Sequence, residues 1–512
     1  MRKVAALAAA AILLTGLVAG VHAQSVRRGG TLRVGLDADP PNLDPHRSTA
    51  AVDRQIFQSL FDKLVDTDET LQIVPDLATS WTVSADGRTV TLRLRPGVTF
   101  QDGTPFNAEA VRYNLERMRD PKFPSARRLE ISPIQQIAVR DPATVVLTLE
   151  RPYSPLLYVL TDRAGMMVSP AAAQREGLNF ALHPVGTGPF TFVEKAPQDH
   201  VTLQRNTSYW AKGLPYLDRI VFRPVIDDNA RVANLKSGDL DIVGTVPLPQ
   251  VKELAQASAR PGAAFRLLQR GAFSWVAIRL NITKPPFDNK LLREALDETI
   301  DREALAGVVL QGAAYPAYSF FPNGTPGYDP SWPIPARNVA RAREKEQAAG
   351  RPGGFEFTLL TTPGEQQLSV AQAVQSMAAD AGIRIKIQAI EFGTLLDTMA
   401  HLRHQAGLLG WSGRPDPDGD IYSFLTQAGP DQPNNTGYVN PRVTSLLDAS
   451  RLLGDMAQRR RAYREVLQIV ADDMPYVWLY FPKEYKLVSV RVHGFIHVPD
   501  GMIRPAHAWL SP

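Results

Sequence analysis

Side chains that are suited to catalysis or ligand binding are most concentrated in residues 408–424. This stretch reads Leu-Leu-Gly-Trp-Ser-Gly-Arg-Pro-Asp-Pro-Asp-Gly-Asp-Ile-Tyr-Ser-Phe, so an apolar run and one aromatic ring precede Pro, Gly and four formal charges. The pattern predicts a short strand that ends in a polar loop, which is where α/β proteins commonly place ligand contacts. Because Pro and Gly punctuate any turn, an ordinary surface turn is the alternative interpretation.

Three carboxylates of this stretch have the spacing of a calcium loop. Asp416, Asp418 and Asp420 stand at positions one, three and five of such a loop. A calcium loop also needs Gly at position six and Glu at position twelve, where this chain has Ile421 and Gln427. The spacing therefore predicts no calcium site.

Other catalytic and metal-binding signatures are also incomplete. The sequence Gly-Trp-Ser-Gly-Arg around Ser412 lacks the second Gly of a nucleophile elbow. His401 with His404, and His493 with His497, have no third ligand for a metal. The phosphate-binding motif Gly-x-x-x-x-Gly-Lys does not occur. The sequence thus predicts no catalytic residue, no metal and no cofactor.

The first 23 residues differ in composition from all that follow. Arg2 and Lys3 precede an apolar run over residues 4–18, and small residues flank the end of the segment at Ala23. This pattern predicts a signal peptide, residues 1–23, that is cleaved before Gln24. A membrane anchor is the alternative, but the run is shorter than the ~20 residues that span a bilayer. Since the chain has no cysteine for lipid attachment, we expect a freely diffusing periplasmic protein.

Size and charge limit the classes of partner. The chain has 512 residues, enough for two or three domains of about 100–200 residues each. Without Arg2 and Lys3, its 56 basic residues become 54 against 52 acidic ones, a net charge of +2. The longest basic run is Arg459-Arg460-Arg461, which we expect on a solvated helix face. Nucleic acid is therefore not expected as a partner.

Alternation of strand and helix patterns predicts an α/β fold. A strand over residues 31–36 leads into a loop over residues 37–46 that is rich in Pro and Asp, as at a sheet edge that faces a cleft. Alternating residues around Asp86-Gly87 predict a hairpin. Residues 274–281 form a further predicted strand, and the apolar spacing from Leu292 to Ile300 predicts an amphipathic helix after it.

Several separated stretches together resemble the extracytoplasmic solute-binding proteins of peptide-type ABC importers, family 5, which includes dipeptide, oligopeptide and nickel-complex binders. The matching stretches occur in the family's order and span most of the chain after residue 23. They are Ala78-Thr-Ser-Trp81, Asp86-Gly87, Leu94-Arg-Pro-Gly-Val-Thr-Phe100, Asp102-Gly-Thr-Pro105, Asn107-Ala108-Glu109, Gly186-Thr-Gly-Pro-Phe190, Asn206 with Tyr209-Trp210, Ser237-Gly-Asp-Leu-Asp-Ile242, Asn281 with Pro286-Phe287, and Arg293 with Asp301-Arg302.

The resemblance implies a two-lobed periplasmic binding protein fold of type II, cluster C, with an extra inserted domain and a hinged central cleft. Lobe I would be discontinuous and consist of residues 24–60, 183–264 and 485–512. The inserted domain II would be residues 61–182, and lobe II residues 265–484. The two crossings between lobes would form a hinge, so that ligand binding closes the cleft.

The resemblance also implies where the ligand lies. In peptide-binding relatives an extended ligand pairs with strand edges, and the strand that ends at Gly410-Trp411-Ser412 is expected to be one of them. Relatives commonly place an Asp shortly after the Gly-Trp pair to hold the ligand's ammonium group, but this chain has Arg414 there. A guanidinium favours a carboxylate, so the expected solute is acidic; Asp416 or Asp418 could serve instead if the loop is longer.

Four further positions are weaker candidates for ligand contact. Asp37 and Asn42 lie in the first predicted cleft loop, Tyr422 follows the charged stretch, and Trp275 begins the predicted strand that faces the hinge. For each of them a structural role is equally expected, because Asp in a Pro-rich loop commonly forms turns and aromatic residues commonly belong to the core.

The resemblance implies a binding protein that captures a peptide-like or other polar organic solute and delivers it, as a monomer, to the permease of an ABC importer. Two alternatives from other classes stay open. An exported hydrolase could use clustered carboxylates such as Asp416 and Asp418, because folding can bring such groups together in ways that a sequence does not reveal. A periplasmic chaperone or solute sensor is the other.

Overall fold

The computed structural model describes residues 26–271, 273–426 and 434–512. The predicted signal peptide, residues 1–23, lies outside the described residues. Within the described ranges, the helices are all too short or too polar to cross a bilayer.

The strands, in chain order, are β1 Thr31–Leu36, β2 Val65–Thr67, β3 Ile73–Pro75, β4 Ala78–Val83, β5 Thr89–Leu94, β6 Ile134–Asp141, β7 Thr144–Leu149, β8 Phe190–Ala196, β9 His200–Arg205, β10 Arg219–Pro224, β11 Ile242–Val243, β12 Phe265–Arg270, β13 Trp275–Leu280, β14 Ala314–Pro316, β15 Glu356–Thr361, β16 Arg384–Ala389, β17 Ala406–Trp411, β18 Tyr476–Pro482, β19 Glu484–Ser489, β20 Val492–His493 and β21 Trp509–Leu510. The helices are α1 Ala51–Leu60, α2 Ala108–Arg119, α3 Arg128–Ile131, α4 Leu156–Val159, α5 Pro170–Glu176, α6 Asp228–Ser237, α7 Val251–Ser258, α8 Lys290–Glu298, α9 Arg302–Ala304, α10 Val339–Ala348, α11 Glu365–Ala379, α12 Phe392–Ala400, α13 Asp418–Leu425, α14 Pro441–Arg451 and α15 Met456–Asp473.

The first large sheet has seven strands in the order β12-β19-β11-β1-β10-β9-β8. Strand β1 is central and runs parallel to both β10 and β11. Its Leu32, Val34 and Leu36 are buried, and α1 covers the same core with Ile56 and Phe57. Because β1 is buried, its carboxyl end holds the following loop, residues 37–46, at a fixed place.

A four-stranded antiparallel sheet, β4-β5-β7-β6, forms the inserted domain. Helix α2 packs on it through Val111, Leu115 and Met118, which are fully buried. The side chain of Asn107 accepts a hydrogen bond from the backbone N–H of Ala110 and so caps the start of this helix.

The second large sheet has six strands in the order β14-β18-β13-β17-β15-β16. Strands β13 and β17 are antiparallel, with Trp275 opposite Trp411. Strand β15 pairs with β17 only at Ala406 and Gly407, so no strand of this sheet pairs with that edge of β17 from residue 408 onwards.

One predicted boundary between the lobes differs from the boundary that strand pairing gives. Strand β12 was expected in lobe II, which would begin at residue 265, but it pairs along its whole length with β19 in the first sheet. The chain enters the second sheet only at Trp275. The crossing therefore lies between Arg270 and Trp275, because backbone pairing assigns a strand to its sheet.

The prediction of a polar loop up to residue 424 is wrong in its second half. Strand β17 ends at Trp411, as expected, but only residues 412–417 are irregular before α13 begins at Asp418. Two carboxylates in the first turn favour that helix start electrostatically, and Ile421 and Phe424 are buried on its inner face.

Candidate functional site

A cavity of about 990 Å³ lies between the carboxyl end of β1 and the carboxyl end of β17. Ligand sites of small molecules commonly have volumes of about 300–1,000 Å³, so this cavity has the size of a binding site. Both large sheets contribute to its wall: Asp37, Asp39, Gln55 and Lys195 come from the first side, and Arg279, Gly410, Trp411 and Ser412 come from the second.

The loop after β1 brings one of its two predicted residues to the cavity. Asp37 lines it, together with Asp39, whose carboxylate lies 3.7 Å from the ammonium group of Lys195. The side chain of Asn42 instead accepts a hydrogen bond from the backbone N–H of Asp44. Asn42 is therefore a turn former that shapes the loop, and it does not belong to the cavity wall.

The end of β17 lies at the cavity wall. Gly410, Trp411 and Ser412 all line the cavity. The indole ring of Trp411 packs edge-on against Phe424 and donates a hydrogen bond of 2.9 Å to Asp420. These contacts fix the ring, so Trp411 presents a rigid apolar surface to the cavity.

Trp275 also lines the cavity, but its side chain has no exposed surface. It lies in an aromatic cluster, with edge-on contacts to Phe320, Phe424, Tyr476 and Trp478. Its main contribution is therefore the support of the wall from behind.

The charged part of the stretch does not line this cavity, contrary to expectation. Asp416 is paired with Arg459, and Asp418 with Arg451, through two hydrogen bonds in each pair. All four side chains are buried. Buried charges require such partners because desolvation is costly, so these carboxylates already have ion-pair partners inside the protein. The expectation of a solvated Arg459 is also wrong.

Arg414 and Tyr422 have partners of their own. The guanidinium of Arg414 lies on the ring of Trp411, 4.3 Å from its centroid, and its Nε is 2.8 Å from the carboxylate of Asp162. The hydroxyl of Tyr422 donates a hydrogen bond of 2.9 Å to Asp448. Both residues line a separate cavity of about 30 Å³ between the inserted domain and α13.

Asp162 is a residue that the sequence did not single out. Its carboxylate accepts a hydrogen bond of 3.1 Å from Nε of Arg54, on α1, and forms an ion pair with Arg414. Burial raises the pKa of the Asp162 carboxyl, but the cations of Arg54, Arg414 and Arg163 outweigh burial and hold it well below its usual range. Asp162 thus stays ionised and joins the inserted domain to both large sheets.

Arg279 was also missed, although a charge within the apolar strand Trp-Val-Ala-Ile-Arg-Leu was a usable signal. It lines the cavity and is buried. Clusters of three or more acidic or histidine side chains that could hold a metal do not occur in the described part of the chain.

Comparisons with known proteins agree on one family. The model of the bacterial extracellular solute-binding proteins, family 5 Middle, matches residues 72–432. The glutathione-binding protein GsiB of Salmonella typhi is 32% identical over 498 residues, which is 95% of each chain. GsiB of Pectobacterium atrosepticum is 30% identical over 505 residues, 96% of each chain.

Solved structures show the same architecture. The periplasmic binding protein DppA from Helicobacter pylori, in complex with the peptide STSA, has a TM-score of 0.87 and 27% identity, covering 95% of this chain and 99% of its own. The binding protein AgaA from A.tumefacien R10, in complex with agropinic acid, has a TM-score of 0.86 and 26% identity, covering 94% of this chain and 99% of its own. The two-lobed periplasmic binding protein fold is thereby confirmed.

Proposed function

The chain belongs to family 5 of the bacterial extracellular solute-binding proteins, and we propose that its solute is a small peptide-like molecule with a free carboxylate. The protein is the substrate-binding component of an ABC importer and not an enzyme. Capture would occur by closure of the lobes around the solute, because a ligand that contacts both lobes stabilises only the closed form.

The main support for this proposal is the cavity of about 990 Å³, because both large sheets contribute to its wall. Asp37 and Lys195 on one side, and Trp411 with Ser412 on the other, offer polar and apolar contacts to one ligand. A solute of two to four amino acids has a matching size and polarity.

The free edge of β17 supports an extended ligand. Since β15 leaves this strand after Gly407, residues 408–411 can take up backbone hydrogen bonds from an added strand. Gly410 has no side chain that would keep a ligand at a distance, and Trp411 limits the space beside it.

The acidic character of the solute is supported by the ligands of similar proteins. Two relatives at 30–32% identity are named for binding glutathione, and AgaA was solved with agropinic acid. In this chain we assign direct contact to Asp37, Gly410, Trp411 and Ser412. Asn42, Trp275, Arg414, Asp416, Asp418 and Tyr422 would hold these residues in place.

The protein would act as a monomer in the periplasm. Family members are periplasmic binding proteins, and we expect cleavage before Gln24 to release a monomer into the periplasm. The lobes would be residues 24–60 with 183–270 and 484–512, and residues 275–482, with residues 61–182 inserted. The closed form would dock on the permease subunits of the importer.

The experiment is to purify residues 24–512, denature the protein and identify released compounds by mass spectrometry. Isothermal titration calorimetry with each identified compound, and with glutathione, then measures affinity. We expect a dissociation constant in the micromolar range or below, and recovery of the compound unchanged. Release of a chemically altered compound, or absence of binding to all peptides and glutathione tested, would contradict the proposal.

A further inference from the structure

Arg279 is a buried cation that has only neutral partners among the described residues. Its Nη2 donates a hydrogen bond of 2.7 Å to the carbonyl oxygen of Gly410, and its Nη1 donates one of 3.4 Å to Oδ1 of Asn435. Its Nε is buried and has no partner. The residue is 2% exposed, so its guanidinium is largely removed from bulk solvent.

Most other buried arginines of the described residues have a carboxylate partner, whereas Arg293 donates from Nε, Nη1 and Nη2 to the backbone carbonyl oxygens of Asp473 and Phe287. Arg302 is paired with Asp297, Arg451 with Asp418, and Arg459 with Asp416. No carboxylate of the described residues forms an ion pair with Arg279. Since an unpaired buried charge is costly, a protein retains one mainly where a function requires it.

The surroundings of Arg279 are apolar and aromatic. The guanidinium lies 4.9 Å from the ring centroid of Trp275 and 5.3 Å from that of Phe424. Burial lowers the pKa of Arg279 to about 10, and only Tyr476 acts in the opposite direction. Burial, together with the cations of Lys284 and Arg279, also lowers the pKa of His404 to about 4.

The cavity reaches this cation. Arg279 and both of its hydrogen-bond acceptors, Gly410 and Asn435, line the cavity described above, together with Trp411. Of the carboxylates that line the same cavity, Asp37 and Asp39 belong to the loop after β1, and the others are Asp228, Glu391, Glu484 and Asp500. These carboxylates have other positions in the wall, and among the described residues none of them forms an ion pair with Arg279.

We propose that Arg279 receives a carboxylate of the captured solute. This inference rests on the proposed function and deepens it, since it assigns the acid-binding residue to β13 and not to Arg414, which already has Asp162. A planar carboxylate matches the guanidinium, and it would use the Nε–H that has no other partner. The aromatic wall would exclude water and strengthen the pairing.

The test compares acid and amide forms of two probes, glutathione and trialanine, by calorimetry. The wild-type protein is expected to bind at least one free acid ten or more times tighter than the matched carboxamide. Arg279→Met should weaken binding of that acid by about 100-fold and bring the acid-to-amide ratio near one. Arg279→Lys, which keeps the charge, should retain part of the preference.

Thermal unfolding without solute separates this role from a structural one. Arg279→Met is expected to unfold at the wild-type temperature or above it, because the variant no longer buries an unpaired charge. Arg302→Met is the matched control: it leaves Asp297 buried and unpaired, so it should unfold at a lower temperature while keeping the wild-type acid preference.

The outcomes distinguish the two proposals. If the wild-type protein binds none of the probes, the proposed function fails for peptide-like solutes and this inference fails with it. If the wild-type protein binds acid and amide equally, or if Arg279→Met keeps the acid preference, only the assignment of Arg279 is overturned. Unfolding of solute-free Arg279→Met several degrees below wild type would also overturn it.

Discussion

At the scale of single residues, buried side chains determine how the protein responds to pH. His46 is fully buried, and its Nδ1 accepts a hydrogen bond of 2.9 Å from Arg117 when its Nε2–H donates one of 3.1 Å to the carbonyl oxygen of Met166. Burial, followed by the cation of Arg117, lowers the pKa of His46 to about 4. The native protein thus holds this imidazole neutral.

We therefore expect His46 to destabilise the protein in acid. In the unfolded chain the imidazole takes up its proton near pH 6.5, whereas in the native state it does so only near pH 4. Between these values the unfolded state binds more protons, so the free energy of unfolding falls as pH falls, by about 2 kcal/mol at pH 5. Urea unfolding at pH 7.5 and pH 5.0 measures this difference.

Two variants make the measurement specific to His46. His46→Gln cannot titrate, so its loss of stability between the two pH values should be smaller than that of wild type by about 2 kcal/mol. His183→Gln, at an exposed position, should keep the wild-type difference. An equal pH dependence in His46→Gln and wild type would show that His46 contributes nothing.

Single residues were predictable where their role is local. The Gly410-Trp411-Ser412 end of a strand was expected at the cavity wall, and the structure places it there. The roles of Arg414, Asp416 and Asp418 were not predictable, because their partners are distant in sequence: Asp162 lies in another domain, and Arg451 and Arg459 lie on α14 and α15. Arg279 was missed because its strand otherwise has the pattern of an apolar core.

At the scale of elements, the two glycines of the sequence Gly186-Thr-Gly-Pro-Phe190 are required for steric reasons. A Cβ atom on Gly186 would lie 2.2 Å from the carbonyl oxygen of Leu60, and one on Gly188 would lie 2.5 Å from its carbonyl carbon. The side chain of Gln101 donates to the same Leu60 oxygen and accepts from the backbone N–H of Gly186. The strand that returns from the inserted domain is thus packed directly on the end of α1.

Gly186→Ala is expected to lower the free energy of unfolding by about 3 kcal/mol, because α1 and the returning strand must separate to admit the methyl group. Chemical denaturation of the solute-free protein measures this loss. The control is Gly454→Ala, where a Cβ would meet no atom within 4 Å, and it should change stability by less than about 1 kcal/mol. A loss of equal size in both variants would contradict the steric explanation.

Elements were predictable where periodicity and caps agree, as in β4, β5, α2 and α8. Ends of elements were less predictable. Helix α1 ends at Leu60, since Phe61 is extended where the chain meets the Gly186 strand, and that contact lies far away in sequence. Helix α13 was not predicted, because Pro and Gly before it resemble a continuing loop.

At the scale of the whole molecule, a few polar contacts join the parts of the protein that would move relative to one another when the cleft opens or closes. Asp162 of the inserted domain is paired with Arg54 and Arg414. The guanidinium of Arg54 also donates to the hydroxyl of Ser412, at 2.9 Å. On the other side, Asp228 accepts a hydrogen bond of 3.1 Å from the backbone N–H of Gln366. The structure is therefore a closed arrangement of the lobes.

The sequence could not predict these crossing contacts, since each joins residues more than 100 positions apart. The resemblance nevertheless implied a hinge and a closing cleft. We expect opening of the cleft to break these contacts, so their free energy adds to that of the solute in setting the equilibrium between open and closed states. Removing one of them should shift this equilibrium without a change in the cavity wall.

Asp162→Asn is expected to weaken solute binding by tenfold or more. The closed form of the variant would bury Arg54 and Arg414 without the carboxylate that pairs with both, whereas an open form lets water reach Arg414. Small-angle scattering at a fixed subsaturating solute concentration should show a larger radius of gyration than for wild type, and calorimetry gives the affinity.

The control is Asp297→Asn, which removes a buried partner of Arg302 within one lobe and should lower stability while leaving affinity unchanged. If Asp162→Asn binds the solute as tightly as wild type and compacts at the same concentration, Asp162 contributes nothing to closure, and the lobes are held by the solute alone.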